Sequence, residues 1–352
     1  MIIPFFLPNR GCPQRCLFCN QSVASGEMPG DLREEGFQRR VRAALEGRNA
    51  GSGRRPQRIQ IAFYGGNFTG LSRERRRELL CWAGDYLRQG GVDSIRVSTR
   101  PDHLDGDVLD ELRDHGVSTV EVGLQSLDDG VLVQSRRGHT AADGERAVGL
   151  LKDRGFETSV HLMPGLPGDS AAVFDGTVRR TAALSPDMVR IHPTVVLRGT
   201  ALEEEYRSGR YHPLVLAEAV DQCAGAVRRF SAAGISVIRL GLQPTPGMTG
   251  GNDVVAGPFH PAFGSLVHEA LFLRGAAILL EKMPGARRDA RFRVAPGDVS
   301  FFRGQGNANV SFLLEHFGLG SVAVEEDAGQ ARGILVLESG PSRSEINCSD
   351  RP

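Results

Sequence analysis

The sequence predicts an α/β fold: a parallel sheet built from six consecutive βα units, followed by a small α/β domain. Three observations predict it. Short apolar runs alternate with amphipathic, charged stretches from the start to about residue 245. Each apolar run has strand length and each intervening stretch has helical periodicity. The rhythm then breaks at 243–261 (QPTPGMTGGNDVVAGPFHP), which is rich in glycine and proline.

The strands expected in order are Ile3–Leu7, Arg58–Tyr64, Ser94–Thr99, Thr119–Leu124, Glu157–Leu162 and Asp187–Val196. Helical periodicity fills Asp31–Arg48, Ser72–Gln89, Asp105–His115, Thr140–Arg154, Ser170–Leu184 and Pro213–Ala233. A strand followed by a helix and another strand makes a parallel pair, because a parallel crossover needs the intervening helix. Ser236–Leu240 is a seventh candidate strand closing the series. The Gly- and Pro-rich segment marks a domain boundary, so residues 1–245 are read as one unit and 246–340 as a second. That second unit holds a helix Ala262–Met283, an arginine-rich turn Gly285–Arg293, a further helix, and strands Ser321–Glu325 and Gly333–Glu338. The last residues, 341–352, read as a disordered tail.

The bulk numbers are those of a soluble globular chain: 352 residues, 40% hydrophobic and 24% charged. Basic and acidic residues balance at 42 each, so bulk charge points to no nucleic-acid partner. No secretory signal and no apolar run of about 20 residues is visible, which leaves no membrane segment. Six cysteines are too few for a disulfide scaffold in a chain this long. A cytoplasmic, reducing compartment is expected. Nothing in the sequence bears on oligomeric state.

The strongest chemical signal is Cys12-Pro-Gln-Arg-Cys16-Leu-Phe-Cys19, a C-x₃-C-x₂-C run directly after the first strand. Three thiolates on one short loop suit an iron–sulfur cubane and leave one iron open for a ligand. A structural zinc site normally closes its shell with four ligands, and no fourth Cys or His follows at finger-like spacing. Three unligated core thiols are the remaining alternative, and a Pro- and Gly-flanked loop is a poor place for them. Cys81 and Cys223 lie in helical patterns and read as core residues; Cys348 reads as a tail thiol.

A three-cysteine loop of this spacing after the first strand resembles the radical S-adenosylmethionine (SAM) superfamily. The likeness continues in order at the C-terminal ends of later strands, where barrels place their chemistry. These stretches are Gly65-Gly66-Asn67 within GGNFTGL, TRPD at 99–102, EVGLQSLDDGVL at 121–132 with RRGHT at 136–140, and HLMPGLP at 161–167. With the long stretch HPTVVLRGTALEEEYRSGRYHP at 192–213, they are most similar to the radical SAM domain of the elongator catalytic subunit family. Oxygen-independent coproporphyrinogen oxidases share the skeleton but fit the later stretches less well.

The resemblance implies a partial (βα)6 barrel and reductive cleavage of SAM at a [4Fe–4S] cluster. The resulting 5′-deoxyadenosyl radical would abstract hydrogen from a substrate. It implies that Cys12, Cys16 and Cys19 hold the cluster and that Phe18 packs near the adenine. Gly65, Gly66 and Asn67 would meet the methionine amino end, and Gln125 the ribose region. Arg137 would pair with the methionine carboxylate, and Met163 and Gly165 would line the adenine side. A reductase or a flavodoxin- or ferredoxin-type donor would supply the electron.

This chain departs from the elongator pattern in three ways. Its first two cysteines are closer together, Ser98 stands where the family has glutamate, and no acetyl-CoA signature follows the barrel. The family's wobble-uridine chemistry therefore does not carry over with the motifs. Three substrate readings stand: RNA, a small molecule such as a tetrapyrrole or metabolite, and no substrate at all, in a non-catalytic iron–sulfur or zinc-binding protein. For RNA, the second unit offers a KH-like loop, Gly304-Gln305-Gly306-Asn307 before a helix, with Arg287, Arg288, Arg291 and Arg293 upstream; the alternative, which the sequence favours, is a small α/β cap closing the open side of the barrel.

Overall fold

A computed structural model describes residues 1–26, 30–49, 58–283, 289–339 and 342–348. Seven parallel strands form one curved sheet in the order β1 (Ile2–Phe6), β2 (Gln60–Tyr64), β3 (Ser94–Thr99), β4 (Val117–Gln125), β5 (Glu157–Leu162), β6 (Met188–Ile191) and β8 (Ser236–Leu240). β1 and β8 are the two edges and do not pair, so the barrel is open. A short two-stranded sheet joins β7 (Val196–Leu197) to β9 (Val254–Ala256).

α1 (Gln21–Ser25) packs into a small separate core, α2 (Glu34–Asn49), α3 (Arg73–Arg88), α4 (Gly106–Asp114), α5 (Asp129–Gln134), α6 (Ala141–Asp153) and α7 (Ala171–Leu184) pack on the barrel's main core, α8 (Ala201–Arg207) joins another small core, α9 (Leu216–Ala232) returns to the main one, and the one-turn α10 (Pro246–Thr249) packs with α1. Side-chain caps start many of them where the sequence supplies Ser, Thr or Asp. Thr140 and Asp143 form a reciprocal capping box on α6, and Ser170 caps α7. Alternation along each strand then sorts the two faces. Ile61 and Phe63, Ile95 and Val97, Val120, Val122 and Leu124, Val160 and Leu162, and Val189 and Ile191 all enter the core beneath the helices. Tyr64, Arg96, Ser98, Glu121, Ser159, His161 and Arg190 alternate with them and face the barrel interior.

The core under the helices does not stop at residue 245. It includes Phe263, Val267 and Leu271 on α11 (Phe263–Lys282). The same helix supplies Phe272, Ala276, Leu279 and Leu280 to a second core. α11 is long and apolar enough to cross a membrane by length and composition; here its apolar length is shared between two cores. The second core is closed by a four-stranded sheet in the order β11 (Ser321–Glu326), β10 (Asp289–Val294), β12 (Ile334–Ser339), β13 (Ser342–Asn347). Helices α12 (Val299–Arg303) and α13 (Ala308–Phe317) lie between β10 and β11 in sequence.

Several expectations need correction here. The described part of the arginine-rich turn is strand β10, whose Ala290, Phe292 and Val294 point inward while Arg291 and Arg293 alternate with them. Arg287 and Arg288 lie outside the described residues. The expected disordered tail contains β13, paired antiparallel to β12 from Ser342↔Ser339 to Asn347↔Ile334. Cys348 is buried in the second core, and burial pushes its thiol up to about 12. Cys81 is exposed rather than core, whereas Cys223 is fully buried.

Candidate functional site

The cysteine loop follows β1 at the C-terminal end of the sheet and is held from three sides. The loop after β2 grips it first. Gly66 sits at φ 62°, and a Cβ there would stand 2.3 Å from the Arg10 carbonyl oxygen, so only glycine allows this approach. The Gly66 N–H donates to Gln21 Oε1 at 2.6 Å, and the same oxygen accepts the Asn9 N–H at 2.5 Å. The segment after α5 grips it next, with Leu17 N–H donating to the Ser135 carbonyl at 3.1 Å and Gln14 Nε2 to the Arg136 carbonyl at 3.0 Å. The third side is the unusual stretch 192–213. Leu202 N–H donates to the Leu17 carbonyl at 2.9 Å, and Asn20 Nδ2 donates to the Arg198 carbonyl at 2.8 Å. Leu17, Val196, Leu202 and Tyr211 make a small core there, with Phe18 packed against it.

Cys12, Cys16 and Cys19 are partly buried and unpaired. Burial and the neighbouring Cys16 raise the Cys12 thiol, and burial followed by Cys16 and Cys12 drives Cys19 to about 12. Thiols placed this way ionise only beside a cation, and a bound metal reverses exactly that balance through its own charge. Among the described residues no three Cys, His, Asp or Glu side chains converge on a single ion. A zinc ion would need its sulfurs within about 2.3 Å of one point. A cubane offers a separate iron to each thiolate, and three cysteines on one short loop fit that donor set.

Arg137 is the side chain that joins this loop to the barrel. It is buried; its Nη1 donates to Cys16 Sγ at 3.1 Å, its Nη2 to the Gly123 carbonyl at 2.7 Å, and its Nε to His139 Nε2 at 3.3 Å. Burial, then the charge of Arg137, holds His139 near 4, so this imidazole is a neutral acceptor. Gln125 ends β4 in the left-handed region at φ 62°, which is uncommon for a residue with a side chain. Its carbonyl accepts the Met163 N–H at 2.9 Å, while its Oε1 is buried without a partner. Gly165 donates its N–H to Asp169 Oδ2 at 2.9 Å and accepts the Tyr211 hydroxyl at 2.6 Å. Gln125, Met163 and Gly165 thus belong to adjoining loops at the end of β4 and β5.

Residues 6–180 match the Radical SAM superfamily, and residues 186–272 match the Radical_SAM C-terminal domain. The chain belongs to the radical SAM superfamily. Members of this superfamily use a [4Fe–4S] cluster and SAM, and the chain is an enzyme. It is 35% identical over 131 residues to the tRNA uridine(34) acetyltransferase of Methanocaldococcus infernus, covering 36% of this chain and 24% of that one. The corresponding protein of Dehalococcoides mccartyi is 27% identical over 230 residues, covering 57% and 50%. The chain therefore spans about a quarter to a half of these relatives' length. Its fold is shared with the archaeal Methanocaldococcus infernus Elp3, with a TM-score of 0.59 and 22% identity over 82% of this chain and 65% of that one.

Within this radical SAM frame, the side chain of Asn67 is turned into the protein. It is fully buried, its Nδ2 donates to the Gly11 carbonyl at 3.0 Å, and its Oδ1 accepts Thr99 Oγ1 at 2.7 Å and the Arg100 N–H at 3.1 Å. Both ends of the amide are spent on tying the cysteine loop to the end of β3. What this loop still offers a ligand is backbone. Sequence reading missed Gln21 and Tyr211, whose roles appear only once distant loops meet. It also missed the polar inner face, which strand alternation could have exposed.

The KH-like loop is tied to α11 at its base. Gln305 N–H donates to Glu269 Oε2 at 3.1 Å, and Asn309 Nδ2 donates to the Glu269 carbonyl at 3.0 Å. Arg291 pairs with Glu325, and Arg293 with Glu325 and Glu338. The Glu269 carboxylate stands at this loop, and the two described arginines of the cluster already have carboxylate partners.

Proposed function

We propose that Cys12, Cys16 and Cys19 hold the [4Fe–4S] cluster and that SAM lies between the cysteine loop and the ends of β4 and β5. Bound there, the cluster would supply the single electron for reductive cleavage of SAM to methionine and a 5′-deoxyadenosyl radical, which would take a hydrogen atom from substrate. The observation that carries the reading is the Arg137 fork reaching Cys16 Sγ from the end of the barrel. A guanidinium there can meet the methionine carboxylate while steadying a thiolate. Gly66 brings backbone close to the same loop, and Gln125 has an unpartnered Oε1 to offer a ribose hydroxyl. A flavodoxin- or ferredoxin-type donor or reductase would deliver the electron in the cytoplasm.

The test is anaerobic reconstitution with iron and sulfide, followed by SAM and dithionite. Wild-type protein should bind about one cubane and release 5′-deoxyadenosine; Cys16→Ala should do neither. A full cluster complement in Cys16→Ala would remove the ligand assignment. For the substrate, similarity to tRNA uridine(34) acetyltransferases supports RNA modification, whereas the Glu269-capped loop and paired arginines support a small molecule. Binding of tRNA that falls steeply with salt would favour the first.

A further inference from the structure

The inner face of the barrel divides into a satisfied floor and an unsatisfied upper layer. At the floor, Arg58 Nη1 pairs with Glu157 Oε2 at 2.8 Å, and Gln60 Nε2 donates to Ser94 Oγ at 3.1 Å and Thr119 Oγ1 at 2.9 Å. Above it Arg96 and Arg190, from β3 and β6, meet a single carboxylate, Glu121 on β4, and Arg239 on β8 stands beside Arg190. Arg96 Nη2 donates to Glu121 Oε2 at 2.9 Å, and Arg190 Nε lies 2.9 Å from the same oxygen without the alignment of a hydrogen bond. Arg190 also donates to the Tyr64 hydroxyl at 2.9 Å.

Arg239 pairs in register with Arg190. Its Nε donates to the Gly241 carbonyl at 3.2 Å, and among the described residues it has no carboxylate partner. His161 and His192 sit edge to face at 4.5 Å and add no compensating charge; burial holds His161 near 4 and His192 well below its ordinary value. Three guanidiniums against one carboxylate leave a surplus of two positive charges. Arg96 Nε, Ser159 Oγ, His161 Nε2, Arg190 Nε and His192 Nε2 are all buried without a hydrogen-bond partner. Buried polar atoms in native proteins are nearly always partnered, and a concentration of orphans beside unpaired positive charge is the imprint of a missing anionic ligand.

We propose that this layer binds an oxyanion of the substrate, a carboxylate or a phosphate, with Arg239 and Arg190 as its anchors. The inference rests on the small-molecule reading above and names its substrate class. The anion would sit on the strands deeper than Arg137, so it orients a neighbouring C–H toward the cysteine-loop end. Arg239 is the anchor to test, because it makes no ion pair among the described residues.

Full-length, cluster-loaded protein is titrated calorimetrically with inorganic phosphate and, separately, with malonate, each against sodium chloride of equal ionic strength. Saturable binding of one or both probes is expected, and the stronger probe identifies the headgroup. Arg239→Gln should weaken it roughly tenfold, the loss of a charge-assisted pair. Arg239→Lys, which keeps charge but loses the fork, should weaken it by a smaller factor. The exposed helix variant Arg113→Gln should bind the anion as wild type does. Should Arg239→Gln not fold, the lysine variant carries the comparison. No binding beyond the chloride control, or equal affinity in wild type and both Arg239 variants, overturns the proposal. SAM cleavage is measured on the same preparations: cleavage without anion binding removes this inference alone, and anion binding without cleavage removes only the cofactor reading.

Discussion

Arg137 spans the cysteine loop and the barrel, so its removal should separate two effects. Arg137→Gln keeps the three thiols, and the cubane should still assemble at wild-type stoichiometry. A hydrogen bond to a charged group is worth about 1.5–3 kcal/mol, so SAM affinity should fall at least roughly tenfold. Hydrogen bonds to cluster sulfurs also tune potential; without the donor to Cys16 Sγ the cluster should become harder to reduce, which a redox titration followed by electron paramagnetic resonance would read. Unchanged SAM affinity would leave Arg137 a purely internal tie. At this scale the C-x₃-C-x₂-C run was legible because short spacing on one loop is a local signal. The partners of the Asn67 amide were hidden for the opposite reason. Its partners Gly11, Thr99 and Arg100 come from two other loops, and no local pattern announces that a motif amide will be consumed inside the protein.

Among the elements, the parallel strands were readable because a strand buried on its helix side must alternate Ile, Val, Leu and Phe at period two. In the sequence Arg291 and Arg293 give β10 the look of a charged turn, although Ala290, Phe292 and Val294 keep the same alternation. Its arginines are answered by Glu325 and Glu338 on the flanking strands, a pairing that only register reveals. β13 shows the same dependence, and Gly275 on α11 offers a way to test it. A Cβ at Gly275 would stand 2.3 Å from Cys348 Sγ and 3.3 Å from Ile346 Cγ2. In an ordinary helix interior, glycine to alanine gains up to about 1 kcal/mol. Here overpacking, typically about 1–3 kcal/mol, should win, so Gly275→Ala should lower the melting temperature. The double variant Gly275→Ala, Cys348→Ala should recover much of that loss. A stabilised single variant would mean that β13 does not lie on α11.

For the molecule as a whole, α11 decides how the two cores relate. A division near residue 245 follows from the Gly- and Pro-rich break, and a break in rhythm is what composition can report. Composition cannot report that the next helix is apolar around its circumference because it serves two cores. Val267 and Leu271 belong to the barrel core, and Phe272, Ala276, Leu279 and Leu280 to the core beneath the C-terminal sheet. If the second unit were a detachable cap, a chain ending at Met283 would keep a stable barrel. Instead that truncation should uncover four side chains on α11, two or three of them worth about 1.5–3 kcal/mol each when fully buried, on the same helix that closes the barrel core. The truncated protein is therefore expected to lose solubility or melt well below the full chain, and to incorporate iron poorly even with all three cysteines present. Restoring polarity with Phe272→Ser and Leu279→Gln should improve its solubility without restoring the full-chain melting temperature, because α11 would still lack its second partner. A truncated chain that melts with the full-length protein would show that the barrel stands without the C-terminal sheet.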